Sequence, residues 1–289
     1  MIDAILSQLA NGLVLGFLYI LIAVGLSVIF GLLGIVNFAH GAFFALGAYF
    51  AVSIVGYLGW PGVILAPFAV AGVGALCEMV LIKRLYREGP LLSLIVTFAL
   101  ALLIEASIRS VWGSMGLPMS PPPFLTGLVE FGPVLLTTYR LGLLVITLLL
   151  LILLWAFFTF TPYGRILRAG SRDPEMLALL GIDFPRVMTG AFALGCFLAG
   201  AAGALAGPVW TVSPAMTSAA SMPAFVIVTI GGLGSYKGAI VAGLLVGVVT
   251  ALSVQFIPEA SGAAMYVLMA IVLLLRPRGL FGETWERFE

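Results

Sequence analysis

The sequence is short of charge. Only 9% of its 289 residues are Asp, Glu, Lys or Arg, where a soluble domain carries about 25%. So few charges cannot cover the surface of a water-soluble fold. With 62% hydrophobic residues and a mean hydropathy of +1.23, the chain needs lipid as its solvent. Its net charge is +1 and it has no basic run, so it offers no surface to nucleic acid. The single histidine leaves little room for metal chemistry, and no cofactor is implied. The two cysteines, Cys77 and Cys196, lie in apolar stretches and read as small buried hydrophobes, not a disulfide.

Several motifs are missing too. Without G-x-x-x-x-G-K-[ST], the chain is not expected to bind and hydrolyse ATP itself. No series of carboxylates within the apolar runs suggests a proton relay, and no arginine-rich run suggests a voltage sensor. No nucleophile–base pair stands inside the spans, so an intramembrane enzyme is disfavoured. The chain opens Met-Ile-Asp with no basic region, and its first apolar run is too long for a signal peptide, so that run is expected to be a retained span.

What is present is a series of continuous apolar runs. A membrane-spanning helix needs about 20 such residues, and strict alternation, the mark of a β-barrel, is absent. The spacing predicts an all-α polytopic bundle of about eight or nine spans: 8–30, 37–58, 62–82, 90–110, 140–160, 187–208, 238–256 and 261–275. A shorter piece, 222–234, ends in Gly231-Gly232-Leu233-Gly234 and either crosses or turns back. Lys83, Arg84 and Arg87, then Arg165, Arg168, Arg172 and Arg186, then Arg276, Arg278 and Arg287 mark segments expected on the cytoplasmic side. The loop 111–139 is then external, the N-terminus external and the C-terminus cytoplasmic. That loop holds Ser120-Pro121-Pro122-Pro123, a stiff extended segment that serves as a spacer or as a gate.

Residues 161–186 form the one sizeable polar stretch. Asp173-Pro174-Glu175 reads as a helix start and Gly181 as its stop, giving a helix of about two turns over 174–180. A helix this short is marginal alone and must pack on something, either the protein's own membrane face or a groove on a separate subunit. Inside the spans, Asn37 and His40 are rare polar groups that should face the bundle interior or a wet cavity. Glu105 and Arg109 are spaced to pair on one helix face, and Glu78 is placed to pair with Lys83 or Arg84. Ala199–Ala204, Gly243 and Gly247 are small-residue surfaces for close helix packing.

The segment 25–41, which ends Asn37-Phe38-Ala39-His40-Gly41, continues to Leu46-Gly47-Ala48-Tyr49. It resembles the N-terminal signature of branched-chain amino acid ABC-transporter permeases of the LivH type. Gly164-Arg165 through Leu179-Leu180-Gly181-Ile182 resembles their cytoplasmic coupling segment. Gly231-Gly232-Leu233-Gly234-Ser235 with Gly238, and Leu275-Arg276-Pro277-Arg278-Gly279-Leu280-Phe281-Gly282, resemble their C-terminal part. The resemblance covers essentially the whole chain, 1–289, as a single transmembrane permease domain of the type II importer kind.

The resemblance implies one permease subunit in the inner membrane of a bacterium. A second homologous permease, two cytoplasmic ATPases and a periplasmic substrate-binding protein would complete the importer. It places ATPase coupling on Arg165, Arg168, Arg172, Asp173, Pro174, Glu175, Leu177, Leu180 and Gly181. Asn37, His40 and Gly41, with Gly231, Gly232 and Gly234, would line or border the translocation path near a helix break. Many members carry Glu directly after the Asn-x-Ala-His-Gly segment, where this chain has Ala42. Relatives serving urea, short amides or aromatic carboxylates therefore stay in view beside branched-chain or other small amino acids. A stand-alone channel or ion-coupled secondary carrier is the reading from a different class.

Overall fold

The computed structural model describes residues 2–86, 90–172 and 174–282. Its helices are α1 (Ile2–Leu33), α2 (His40–Leu58), α3 (Leu65–Val80), α4 (Pro90–Trp112), α5 (Thr138–Phe160), α6 (Pro162–Arg172), α7 (Pro174–Leu179), α8 (Phe184–Ala206), α9 (Met216–Gly231), α10 (Tyr236–Phe256) and α11 (Ser261–Leu275). Eight of them are long and apolar enough to cross a membrane: α1 to α5, α8, α10 and α11, with α3 and α11 each lengthened by a preceding turn. They match the eight runs read from the sequence, because bilayer thickness sets both. The ninth, α9, is shorter at 16 residues.

Glycine sets how closely these helices approach. A Cβ on Gly12 or Gly16 of α1 would press on the α10 backbone near Gly247 and Gly243. Gly25 faces Gly195 of α8, and Gly47 of α2 faces Gly200 of α8. Gly203 lies against the Phe44 carbonyl. Such small-residue contacts replace the hydrophobic drive that lipid does not supply. The result is a core of α1, α2, α8 and α9, with α1 and α8 mostly buried and α5 and α11 mostly exposed. Cys77 and Cys196 are free thiols, as the sequence suggests.

Each end of the bundle has its own character. At one end, β1 (Leu128–Phe131) pairs antiparallel with β2 (Val134–Thr137) across a tight turn at Gly132-Pro133. Near it, Leu117 bridges to Val212, and Gln8 Nε2 donates to Gln255 Oε1 at 3.3 Å. This hairpin lies in the proline-bearing loop and is an addition to the helical reading. The opposite end holds exposed Lys83 and Arg84, then α6 and α7, then residues 276–282. It is called the basic end below.

Contacts at both ends of α9 settle its course. It starts just after Val212, which pairs at the hairpin end, and stops at Gly231. There Leu280 and Phe281 donate backbone N–H groups to the Ile230 and Gly231 carbonyls at 2.8 and 3.0 Å. The segment therefore runs through the bundle and does not turn back.

Arg109 Nη2 meets Glu105 Oε1 at 2.7 Å on α4, the predicted pair. Both side chains are partly exposed, and such pairs contribute about 0.3–0.5 kcal/mol. Glu105→Gln is therefore expected to leave thermal stability in detergent within measurement error.

A broken-helix core and a polar two-helix segment

Asn37, His40 and Gly41 come together at a helix break. Gly34, at φ +66°, ends α1 in the left-handed region that favours glycine. The chain then folds back into the bundle. His40, the first residue of α2, donates from Nε2 to the Ile22 carbonyl at 2.9 Å. Ile22 lies eleven residues before the end of α1, about 16 Å along its axis. Residues 34–39 are thus non-helical backbone deep in the bundle, and α2 starts well below the end of α1. Irregular backbone at that depth is tolerated where protein or a cavity surrounds it.

Local bonds hold the break. Asn37 Oδ1 accepts from the Ala39 N–H at 3.0 Å, and the Asn37 carbonyl accepts from the His40 N–H at 3.2 Å. Thr97 of α4 accepts from the Phe38 N–H at 3.3 Å, and the Phe38 ring lies 4.6 Å from that of Phe225 on α9. Gly25 leaves room for the His40 imidazole. A Cβ on Gly41 would strike Ser221 Oγ and the Thr217 carbonyl of α9. Asn37 and His40 are fully buried, and Asn37 Nδ2, His40 Nδ1 and Thr217 Oγ1 have no partner among the described residues. Buried polar groups are nearly always satisfied, so three such atoms around one break stand out.

The predicted set divides here. Gly231, Gly232 and Gly234 lie at the basic end, ten residues along α9 from Ser221, about 15 Å away. Gly231 packs on Gly238, Gly232 on Gly282, and Gly234 beside Gly31. They form a glycine junction where α1, α9, α10 and the tail meet, separate from the His40 cluster. Thr217 and Ser221 belong to that cluster and were not predicted. Their i, i+4 spacing before Pro223 is the signal, but a span opened at residue 222 leaves them out.

The polar stretch folds into two helices where the sequence suggests one. Thr161 caps α6, its Oγ1 accepting from the Gly164 N–H at 3.0 Å. α6 is amphipathic: Leu167 is buried with Val28, Leu32, Val187 and Ala191, while Arg165 and Arg168 lie on the outer face. Arg172 ends α6, and Pro174 and Glu175 open α7; Asp173 lies outside the described residues. Gly181, at φ +75°, closes α7, with the Ile182 N–H donating to the Leu177 carbonyl at 3.1 Å. That is the six-to-one bond of a Schellman stop.

The faces of α7 differ from the expected docking pair. Leu177 is 4% exposed and packs inward, whereas Leu179 and Leu180 are 83% and 68% exposed. Of the two leucines read as a docking face, only Leu180 is outside, and Leu179 joins it. Glu78 also departs from expectation. It is fully buried on α3 and meets hydroxyls in place of Lys83 or Arg84: Tyr86 donates to Oε1, and Thr189 of α8 donates to Oε2 at 2.5 Å. Burial and the neighbouring carboxylate push the Tyr86 phenol well above its usual range, which keeps it a donor.

Comparison with known proteins fits this architecture. The family described as branched-chain amino acid transport system / permease component matches residues 8–275. This chain belongs to that family. The permease is 30% identical to the high-affinity branched-chain amino acid transport system permease protein LivH of Escherichia coli K12, over 96% of each chain. It is 28% identical to LivM of the same strain, over 93% of the permease and 69% of LivM. Among solved structures, a chain of PsaBC from Streptococcus pneumoniae, in complex with Fab, is similar in fold at TM-score 0.51 and 14% identity, over 95% of both.

Proposed function

We propose that the permease is one subunit of a bacterial ABC importer for branched-chain or other small amino acids. The whole chain acts as one permease domain in the inner membrane. Separate ATPases drive it, a periplasmic binding protein feeds it, and a second permease of the LivM kind pairs with it. The observation that carries this reading is the pair of short helices at the basic end, with exposed leucines at the tip of α7. An exposed apolar tip beside arginines suits a groove on a cytoplasmic partner. Lys83, Arg84, Arg165, Arg168, Arg276 and Arg278 all lie at that end, which orients it to the cytoplasm and the N-terminus to the outside.

The substrate path runs past the break between α1 and α2. Asn37, His40, Thr217 and Ser221 supply polar groups there, and Gly41 keeps α9 close. Gly231, Gly232 and Gly234 border the path at its cytoplasmic end. A broken helix suits a small zwitterion because its end offers backbone N–H and C=O groups without intrahelical partners. Asn37→Ala and His40→Ala are expected to lower ATP-driven leucine uptake in proteoliposomes about tenfold each, the effect of losing one hydrogen bond to a charged ligand. Assembly, followed by size-exclusion chromatography, should persist. Wild-type uptake in both variants would remove these residues from the path.

A further inference from the structure

α8 is the one element that follows the polar segment directly and also packs on three other spans. Its small residues meet α1 at Gly25, α2 at Gly47 and Phe44, and α3 at Val70 and Gly74. Displacement of α6 and α7 reaches the bundle through α1, on which Leu167 sits, and through the first turns of α8, and those turns are gripped from two sides. On one side Tyr163 of α6 donates to the Val187 carbonyl at 3.3 Å, and a Cβ on Gly190 would overlap the Tyr163 hydroxyl. On the other side stands Glu78.

The chemistry around Glu78 is that of a joint with two positions. Its two oxygens accept hydrogen bonds from two elements, Tyr86 just after α3 and Thr189 on α8. Thr189 has a second acceptor, the Pro185 carbonyl one turn back at 3.1 Å. A threonine hydroxyl bonding to the carbonyl four residues earlier is its ordinary place in a helix. Thr189 has one proton to give, so it serves either Glu78 or Pro185. It can release the carboxylate without becoming an unsatisfied donor, while Tyr86 continues to hold Glu78. A lysine or arginine in the same place would tie the carboxylate more tightly and offer no such exchange.

We propose that Glu78 is a positioning residue which, with Tyr86 and Thr189, forms a two-position joint between α3 and the start of α8. The joint passes movement of the α6–α7 segment into the bundle. This rests on the reading of α6–α7 as the ATPase-coupling segment.

The test uses the full importer in proteoliposomes: this permease, its partner permease, both ATPases and the binding protein. The readout is leucine transported per ATP hydrolysed, in complexes of unchanged subunit stoichiometry. Thr189→Val and Tyr86→Phe each remove a hydroxyl at nearly constant shape. Each is expected to lower the ratio about tenfold, as for a lost hydrogen bond to a charged group, and Thr189→Ser to restore it. A wild-type ratio in both hydroxyl variants overturns the joint, as does failure of both variants to assemble, which assigns the triad to folding alone. Leu179→Asp/Leu180→Asp runs in parallel. If that control keeps its ATPases and wild-type uptake, the coupling reading itself fails. If the control loses them and the hydroxyl variants keep the wild-type ratio, only the joint fails.

Discussion

Replacing Leu179 and Leu180 together by aspartate is expected to abolish ATP-driven uptake and leave the bundle folded. The two side chains are 83% and 68% exposed, so the permease loses almost no packing of its own. Leu177, at 4% exposed, still anchors α7 from beneath, and the Gly181 stop is untouched. In a partner's groove the balance reverses. A well-buried apolar anchor contributes about 2 kcal/mol, and two of them about 4 kcal/mol, or roughly a thousandfold in affinity. Forcing two carboxylates into the same groove adds desolvation on top. Co-purification of the ATPase with the permease should therefore fail while the permease alone elutes and melts as before. Retained co-purification and uptake would show that the ATPase docks elsewhere. Leu177→Asp is the poorer probe, because it buries a charge within this chain and confounds docking with folding.

Gly203→Val is expected to have the largest effect on folding. A Cβ at Gly203 falls on the Phe44 carbonyl and within 3.1 Å of the Ala48 nitrogen, both backbone atoms of α2. No rotamer change relieves a clash with backbone, so α2 and α8 must separate. Overpacking of a tight core costs about 1–3 kcal/mol, occasionally more, and this site belongs at the upper end. For a chain of this size that is a fall in melting temperature of roughly 10 °C, or no folded protein on expression. Gly56→Val, on α2, is the control: nothing lies within 4 Å of its Cβ position, and it should melt like the wild type. Equal melting of the two variants would mean that α2 and α8 do not pack as described.

The spans are legible in the sequence because the bilayer imposes a length and a composition that continuous apolar runs reveal directly. The start of α9 is not: Thr217 and Ser221 read as polar, and only their burial against Gly41 places them in the core. α6 is hidden for the opposite reason, since Gly164, Gly170 and its arginines look like loop until Leu167 is seen seated between α1 and α8. Asn37 and His40 announce themselves by being polar in an apolar run, yet the depth of the break becomes visible only through the bond from His40 to Ile22. The glycines at 231–234 signal close approach without naming the partners, which are Gly238 of α10, Gly31 of α1 and the tail some fifty residues later. Glu78 is misread because sequence offers its charged neighbours Lys83 and Arg84, while the groups that meet it are the Tyr86 phenol and a hydroxyl 111 positions away on α8.

That late partner bears on how the protein is made. The Ile230 and Gly231 carbonyls receive their hydrogen bonds from Leu280 and Phe281, among the last described residues to leave the ribosome. Until they emerge, the end of α9 has two acceptors waiting, and α10 and α11 must already be threaded into the bilayer. A chain cut before residue 280 would hold all eight spans and still lack the clasp that fixes α9.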